Sequence, residues 1–279
     1  MFDRFKRSCD LVKASAVVLR QDSHLLMFPL ISGAASLVVA LCFMLPAFGL
    51  GSLDGLGNKK GALYSLAFLF YISQYVVMFY FNAALVGATM IRMDGGAPTL
   101  GDGLRIANRR FGTILGYAVI AATVGVILRA IQERFGFVGR FIVGLIGVGW
   151  TVATFLVVPV LVARDTGPIA SIKESATLLK QTWGENVVGQ SGMSLFFGVL
   201  MLLVVTLAVA GVGLGVNLGS SALAIAFLVI GVLAALATLL VHNALSGIYA
   251  ATLYRYAANG NAGNGFDQSV LNAAFAPKA

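Results

Sequence analysis

Six long apolar stretches divide this chain, running roughly Leu25–Leu50, Leu63–Ile91, Phe111–Ile131, Phe141–Ala163, Val187–Val212 and Ala222–Tyr256. Each reaches or exceeds the roughly 20 residues that a helix needs to cross about 30 Å of hydrocarbon. A backbone in lipid finds no water, so it closes its hydrogen bonds within the segment. The expected fold class is therefore all-α: a polytopic membrane protein with six transmembrane helices. Composition agrees, with 59% hydrophobic and 11% charged residues, where soluble domains carry roughly 25% charge. The first stretch is too long for a signal-peptide core and follows a charged region, so it is expected to be retained.

A second pattern subdivides the six. Arg92, Gly95, Thr99, Asp102, Phe111 and Gly112 recur 72 residues later as Arg164, Gly167, Ser171, Glu174, Trp183 and Gly184. Thr99 with Asp102, and Ser171 with Glu174, have capping-box spacing, in which a hydroxyl and an acid close the free amides of a helix start. Leu100, Leu104, Ala107 and Phe111 then mark one helical stripe. Ile172, Ala176, Leu179 and Trp183 mark its counterpart, and Phe2, Phe5, Cys9, Val12, Ala16 and Leu19 keep similar spacing. The chain reads as three hairpins, each preceded by an amphipathic interfacial helix. The single integral membrane domain, 1–279, divides into an N-terminal amphipathic helix (1–23), a first hairpin (24–92), a second unit (98–163), a third unit (168–257) and a mobile tail (258–279). Two placements fit these amphipathic helices equally: flat at the headgroup boundary, or packed on the ends of the bundle. All units enter from one side, so the repeats are parallel, unlike the inverted repeats of many alternating-access transporters.

Lysine and arginine set the expected orientation. With the N-terminus inside, fourteen fall on the cytoplasmic side and five outside, the latter including Arg129, Arg134 and Arg140. This bias favours a multi-pass protein of a bacterial cytoplasmic membrane with both termini cytoplasmic. The formal charge of +8 thus sits at the ends of apolar segments, a distribution that speaks for lipid headgroups and against nucleic acid. Arg92, Arg105, Arg109, Arg110, Arg164, Lys173, Lys180 and Arg255 are the candidate headgroup contacts. Arg129 is expected near a helix end, its charge reaching the outer headgroups.

The run Trp150, Phe155-Leu156-Val157-Val158-Pro159, Gly167-Pro168, Ser171, Ser175, Leu178-Leu179-Lys180 and Trp183-Gly184 resembles a bacterial family of six-helix membrane proteins of unknown function. More loosely it looks like the membrane domain fused to some bacterial glycerophosphodiester phosphodiesterases. The resemblance implies the layout and no chemistry. No appended catalytic domain is expected, so that activity is not carried over.

Catalytic patterns are missing. There is no His-Glu-x-x-His, no Cys-x-x-Cys and no Gly-x4-Gly-Lys. Two histidines and two scattered cysteines, Cys9 and Cys42, make a metal site or disulfide framework improbable, and no cofactor is expected. None of the 11 carboxylates lies in the body of an apolar stretch, which argues against an ion-coupled pump. Gly211, Gly213, Gly215 and Gly219 read as a hairpin turn. Gly144, Gly147, Gly149, Gly189, Gly192 and Gly198 read as points of close helix approach, in a tight bundle or a homo-oligomer.

Asn82 and Thr154 each precede an exit arginine by ten residues, about 15 Å along a helix, and His242 precedes Arg255 by 13, about 20 Å. With Asn243 these could form one polar layer, or simply hydrogen-bond between helices. Two functions follow as expectations. The first is a non-enzymatic protein that organises membrane lipid or a membrane-protein partner through its basic helices. The alternative is a passive channel or carrier for a small solute. An intramembrane enzyme is disfavoured, because His242 has no nucleophile placed beside it.

Overall fold

The computed structural model describes residues 15–17, 19–49 and 60–260, and their side chains except those of 46–49, 60–63, 136–138 and 181–191. Among these residues every regular element is helical. A 3₁₀ turn, Ser23–Leu26, leads into α1 (Met27–Gly49). There follow α2 (Lys60–Met93), α3 (Leu100–Arg109), α4 (Phe111–Thr154), α5 (Val157–Ala163), α6 (Pro168–Asn217) and α7 (Ser221–Asn259). Among the described residues six stretches are long and apolar enough to cross a membrane: Ser23–Leu45, Tyr64–Met93, Phe111–Phe135, Gly139–Ala163, Gly192–Asn217 and Ser221–Asn259. The described residues form two compact units. One comprises 27–49, 60–181 and 250–260; the other comprises 182–249 with the described part of 15–26.

In the first unit α1 and α2 run antiparallel. The rings of Phe43 and Phe70 meet edge to face at 5.5 Å, and Gln74 Nε2 donates to the Ser36 carbonyl at 3.0 Å. The run assigned to α4 is 44 residues long, which a straight helix would stretch to about 66 Å. It is not straight. Tyr117 hydrogen-bonds Thr154 near its far end, and a Cβ at Gly139 would lie 2.9 Å from the Ile131 carbonyl oxygen. The helix folds back within 131–139, so the third and fourth apolar stretches pair as a hairpin.

Glycine ends α2. Gly95 takes φ 87°, a conformation costly for any residue with a Cβ. The Gly96 amide then reaches the Ile91 carbonyl at 3.0 Å and the Gly95 amide the Arg92 carbonyl at 2.9 Å, which together close the last turn. Gly167, its counterpart in the sequence, serves the opposite end of a helix. Its carbonyl accepts the Ser171 amide at 3.0 Å, and Pro168 occupies the first position of α6, where its missing N–H costs nothing.

That start overturns one expectation. The Thr99–Asp102 capping box forms: the Asp102 amide donates to Thr99 Oγ1 at 3.2 Å and the Thr99 amide to Asp102 Oδ2 at 3.1 Å. The Ser171–Glu174 box does not, because Pro168 begins the helix three residues earlier. The Ser171 hydroxyl donates back to Gly167 O, and Glu174 pairs with Arg164. Nor is there a separate interfacial helix before the fifth span, since α6 runs unbroken to Asn217.

In the second unit α6 and α7 form a hairpin about Gly219, whose φ is 67°. Gly211, Gly213 and Gly215 belong to α6 and not to the turn. Added Cβ atoms at Gly211, Gly215 and Gly231 would strike Phe227, Ala224 and Ala208, so the helices touch along an antiparallel line. By contrast, Gly144, Gly147, Gly149, Gly192 and Gly198 have no other atom within 4 Å of such a Cβ. Within one copy, among the described residues, they make none of the close approaches of a tight bundle. Gly189 lies among the residues whose side chains are not described, and Cys9 and the tail 261–279 lie outside the described residues.

Burial concentrates at the ends of spans that leave through an arginine. Ala83–Val86 and Ala88 of α2, Leu156–Leu161, and Ala250–Leu253 are all buried. Elsewhere the same spans present apolar side chains outward, among them Leu69, Leu145 and Val148, as does α1 at Leu37. That is the pattern of a protein whose solvent there is lipid.

Candidate functional site

The polar chemistry of the first unit gathers where α2 and α5 end and where α3, α4 and α6 begin. Pro159 shapes this region. A proline inside a helix removes one N–H and crowds the carbonyl four residues back, and the helix breaks at Phe155-Leu156 before resuming as α5. The break frees the Leu156 amide, which donates to Ser175 Oγ of α6 at 3.1 Å, both residues being fully buried. An orphaned amide at such depth would cost about 1–3 kcal/mol. Two elements of the Trp150–Gly184 pattern, Pro159 and Ser175, are thus cause and repair of one helix break.

Position 103 stands to position 84 as 175 does to 156. A Cβ on Gly103 would come within 2.6 Å of the Ala84 carbonyl and 2.5 Å of Phe28 Cζ, so α3 lies directly on α2. Ala107 is fully buried, Leu100 and Leu104 are half-buried and Phe111 is exposed. The α3 stripe therefore packs largely on the protein's own helix ends. The buried face at the start of α6 comprises Ser171, Ser175, Leu178 and Leu179. Ile172 and Ala176 are only half-buried. Trp183 lies among the residues whose side chains are not described.

Two of the exit arginines, Arg164 and Arg255, form ion pairs. Arg255 bonds Asp94 and reaches the Met90 carbonyl at 3.4 Å. Arg164 Nε lies 2.8 Å from Glu174 and donates to the Tyr254 hydroxyl at 3.4 Å. Arg110, at the junction of α3 and α4, bonds Asp165. Arg92 is half-buried in the last turn of α2. Arg105 is exposed beside Asp102 at 3.6 Å. Arg109, Lys173 and Lys180 are exposed. The hydrogen bonds from Thr99, side chain first and backbone second, hold the Asp102 carboxyl below its usual range.

The polar-layer candidates divide between the units. Thr154 also donates to the Trp150 carbonyl at 2.8 Å, and Asn82 is half-buried in α2. In the other unit His242 packs its ring 4.9 Å from Phe197, and Asn243 is exposed. Arg129 is paired locally, through Glu133 at 2.9 Å and the Tyr71 hydroxyl at 3.1 Å. Among the described residues no group of three histidine, cysteine or acidic side chains could hold a metal ion. Ser175 belongs to the sequence pattern, but its role was not legible there, because a period of apolar residues counts a buried serine as a gap. Pro159 was the available signal, since a break in mid-span requires a partner.

Six candidate membrane-spanning helices, with charges paired at their ends, define a membrane protein. The chain belongs to a family of unknown function, DUF6159, whose profile matches residues 61–266, from α2 through the end of α7. No curated protein and no solved structure matches it.

Proposed function

We propose that this is a non-enzymatic membrane-organising protein that gathers anionic lipid headgroups at its arginine-rich end. One observation carries the reading: Arg105, Arg109, Lys173 and Lys180 are all exposed on α3 and the start of α6, and among the described residues only Arg105 of these four has an acidic neighbour, Asp102 at 3.6 Å. Basic groups near an anionic leaflet each contribute about 1 kcal/mol of attraction. The apolar face of α3 is occupied by α2, so the contact is electrostatic and does not require a helix lying in lipid. The positive bias of this end fits a cytoplasmic orientation for both termini in a bacterial inner membrane. Contacts at 84–103 and 156–175, offset by the same 72 residues, support reading the hairpins as copied units.

The test compares spin-labelled phosphatidylglycerol with phosphatidylcholine around the reconstituted protein. A several-fold preference for the anionic lipid is expected, weakened when the four residues become glutamine. Equal association of both lipids would overturn the proposal. A channel for a small solute is the second reading, favoured by His242, whose Nδ1 is buried with no partner among the described residues. It requires solute flux in liposomes that changes in His242→Ala/Asn243→Ala.

A further inference from the structure

A cavity of about 420 Å³ opens beside the break between α3 and α4, lined by Ile106, Arg109, Arg110, Val162 and Asp165. We propose that it is a binding site for the phosphodiester of an anionic lipid, with Asp165 holding the place of the phosphate until the lipid arrives. This rests on the headgroup reading above and narrows it to one pocket.

The charges are unequal in position. The Arg110 side chain is 23% exposed, while the Asp165 carboxylate that pairs with it is 93% exposed. The cation is set into the cleft and the anion hangs in solvent, where an ion pair contributes little and is easily exchanged. Arg109 adds a second guanidinium with no partner among the described residues. Two arginines and one carboxylate line the hollow and leave it a net charge of +1, which a phosphodiester neutralises. Guanidinium groups present paired donors that match phosphate oxygens, so Arg110 can exchange Asp165 for the ligand without moving far.

The walls favour a lipid over a soluble phosphate. Ile106 and Val162 give the hollow an apolar side. Val162 is the penultimate residue of the span Gly139–Ala163, and Arg110 directly precedes the span Phe111–Phe135. The phosphate would thus sit where two spans reach the membrane surface, with its acyl chains directed along them. The volume falls within the range of small-ligand sites, roughly 300–1,000 Å³.

The experiment titrates full-length protein in neutral detergent with phosphatidylglycerol, reading bound lipid by native mass spectrometry, and repeats the titration with phosphatidylcholine and with glycerol 1-phosphate. One tightly held phosphatidylglycerol is expected. Its affinity should fall tenfold or more in Arg109→Gln/Arg110→Gln and rise several-fold in Asp165→Asn, a gain that a misfolded variant cannot give. Weak or absent glycerol 1-phosphate binding is expected; displacement of the lipid by it at similar concentration would overturn the lipid assignment. Unchanged affinity in Asp165→Asn would overturn the exchange of Asp165 for phosphate. If Arg109→Gln/Arg110→Gln loses no more than Lys173→Gln/Lys180→Gln, the pocket is wrong and the broader headgroup reading survives. If neither pair lowers binding, both fall.

Discussion

Thr99 opens a helix of ten residues that stops at Arg109, whereas Ser171, its counterpart 72 positions on, lies inside a helix that continues to Asn217. The residues between explain the difference. The first stretch carries Gly101, Gly103 and Asn108, each a weak helix former, where the second carries Lys173, Ser175 and Lys180. Pro98 stands outside the first helix, ahead of its cap, while Pro168 is the first residue of the second. Both stretches nonetheless dock on the preceding span at matching positions, by opposite means. Gly103 docks by having no side chain against Ala84; Ser175 docks by offering its hydroxyl to Leu156. A shared sequence pattern can therefore conserve a contact while changing both its chemistry and the helix that carries it.

The comparison can be broken first at Gly103. Gly103→Val forces an isopropyl group into a gap already closed by the Ala84 carbonyl and the Phe28 ring, and the loss should reach about 3 kcal/mol, the upper end of usual overpacking costs. Unfolding in detergent measures it; unchanged stability would mean that α3 is not seated on α2. Next comes Ser175→Ala, which strands the Leu156 amide and should cost about 2 kcal/mol. The same change in a Pro159→Ala background should cost clearly less, because an uninterrupted helix can bond Leu156 itself. Equal costs in the two backgrounds would refute the repair role of Ser175.

Thr99→Ala removes the cap of α3 and should destabilise it by about 1 kcal/mol. Ser171→Ala should leave the helix start at Pro168 in place, a contrast visible in amide exchange across the two segments. The smallest effect concerns pH. Asp102 is held below its usual range by Thr99, so its contribution is complete above the ordinary carboxylate range and is lost as pH falls through the lowered value. Exchange protection of the first α3 amides should drop on acidification, while the matching α6 amides stay protected. A parallel response in both would sink the assignment.

The six apolar stretches were legible because a membrane span is written in length and composition alone. So was the first capping box, whose acid and hydroxyl act within one turn. The second was obscured by Pro168, which claims the helix start from a position outside the expected spacing. Glycine was the poorest guide. Gly144 and Gly192 face open surroundings, while Gly103, Gly211 and Gly215 make the close approaches, and nothing in a glycine's local sequence says which face its neighbour occupies. The exit arginines were legible as boundary markers. Their pairing with Asp94 and Glu174 depends on chain segments meeting in space and could not be read from spacing.

The crowding of side chains near the exit arginines has a consequence for how this chain can drift in evolution. At Leu145 or Val148, turned outward, lipid asks only that a residue be apolar, and many replacements satisfy it. At Ala84, with 0% exposure and the site of Gly103 pressed to its carbonyl, one added carbon is a steric event. Related sequences should therefore wander freely in letters along the outward faces of the spans while holding size, residue by residue, over the last turns before each arginine.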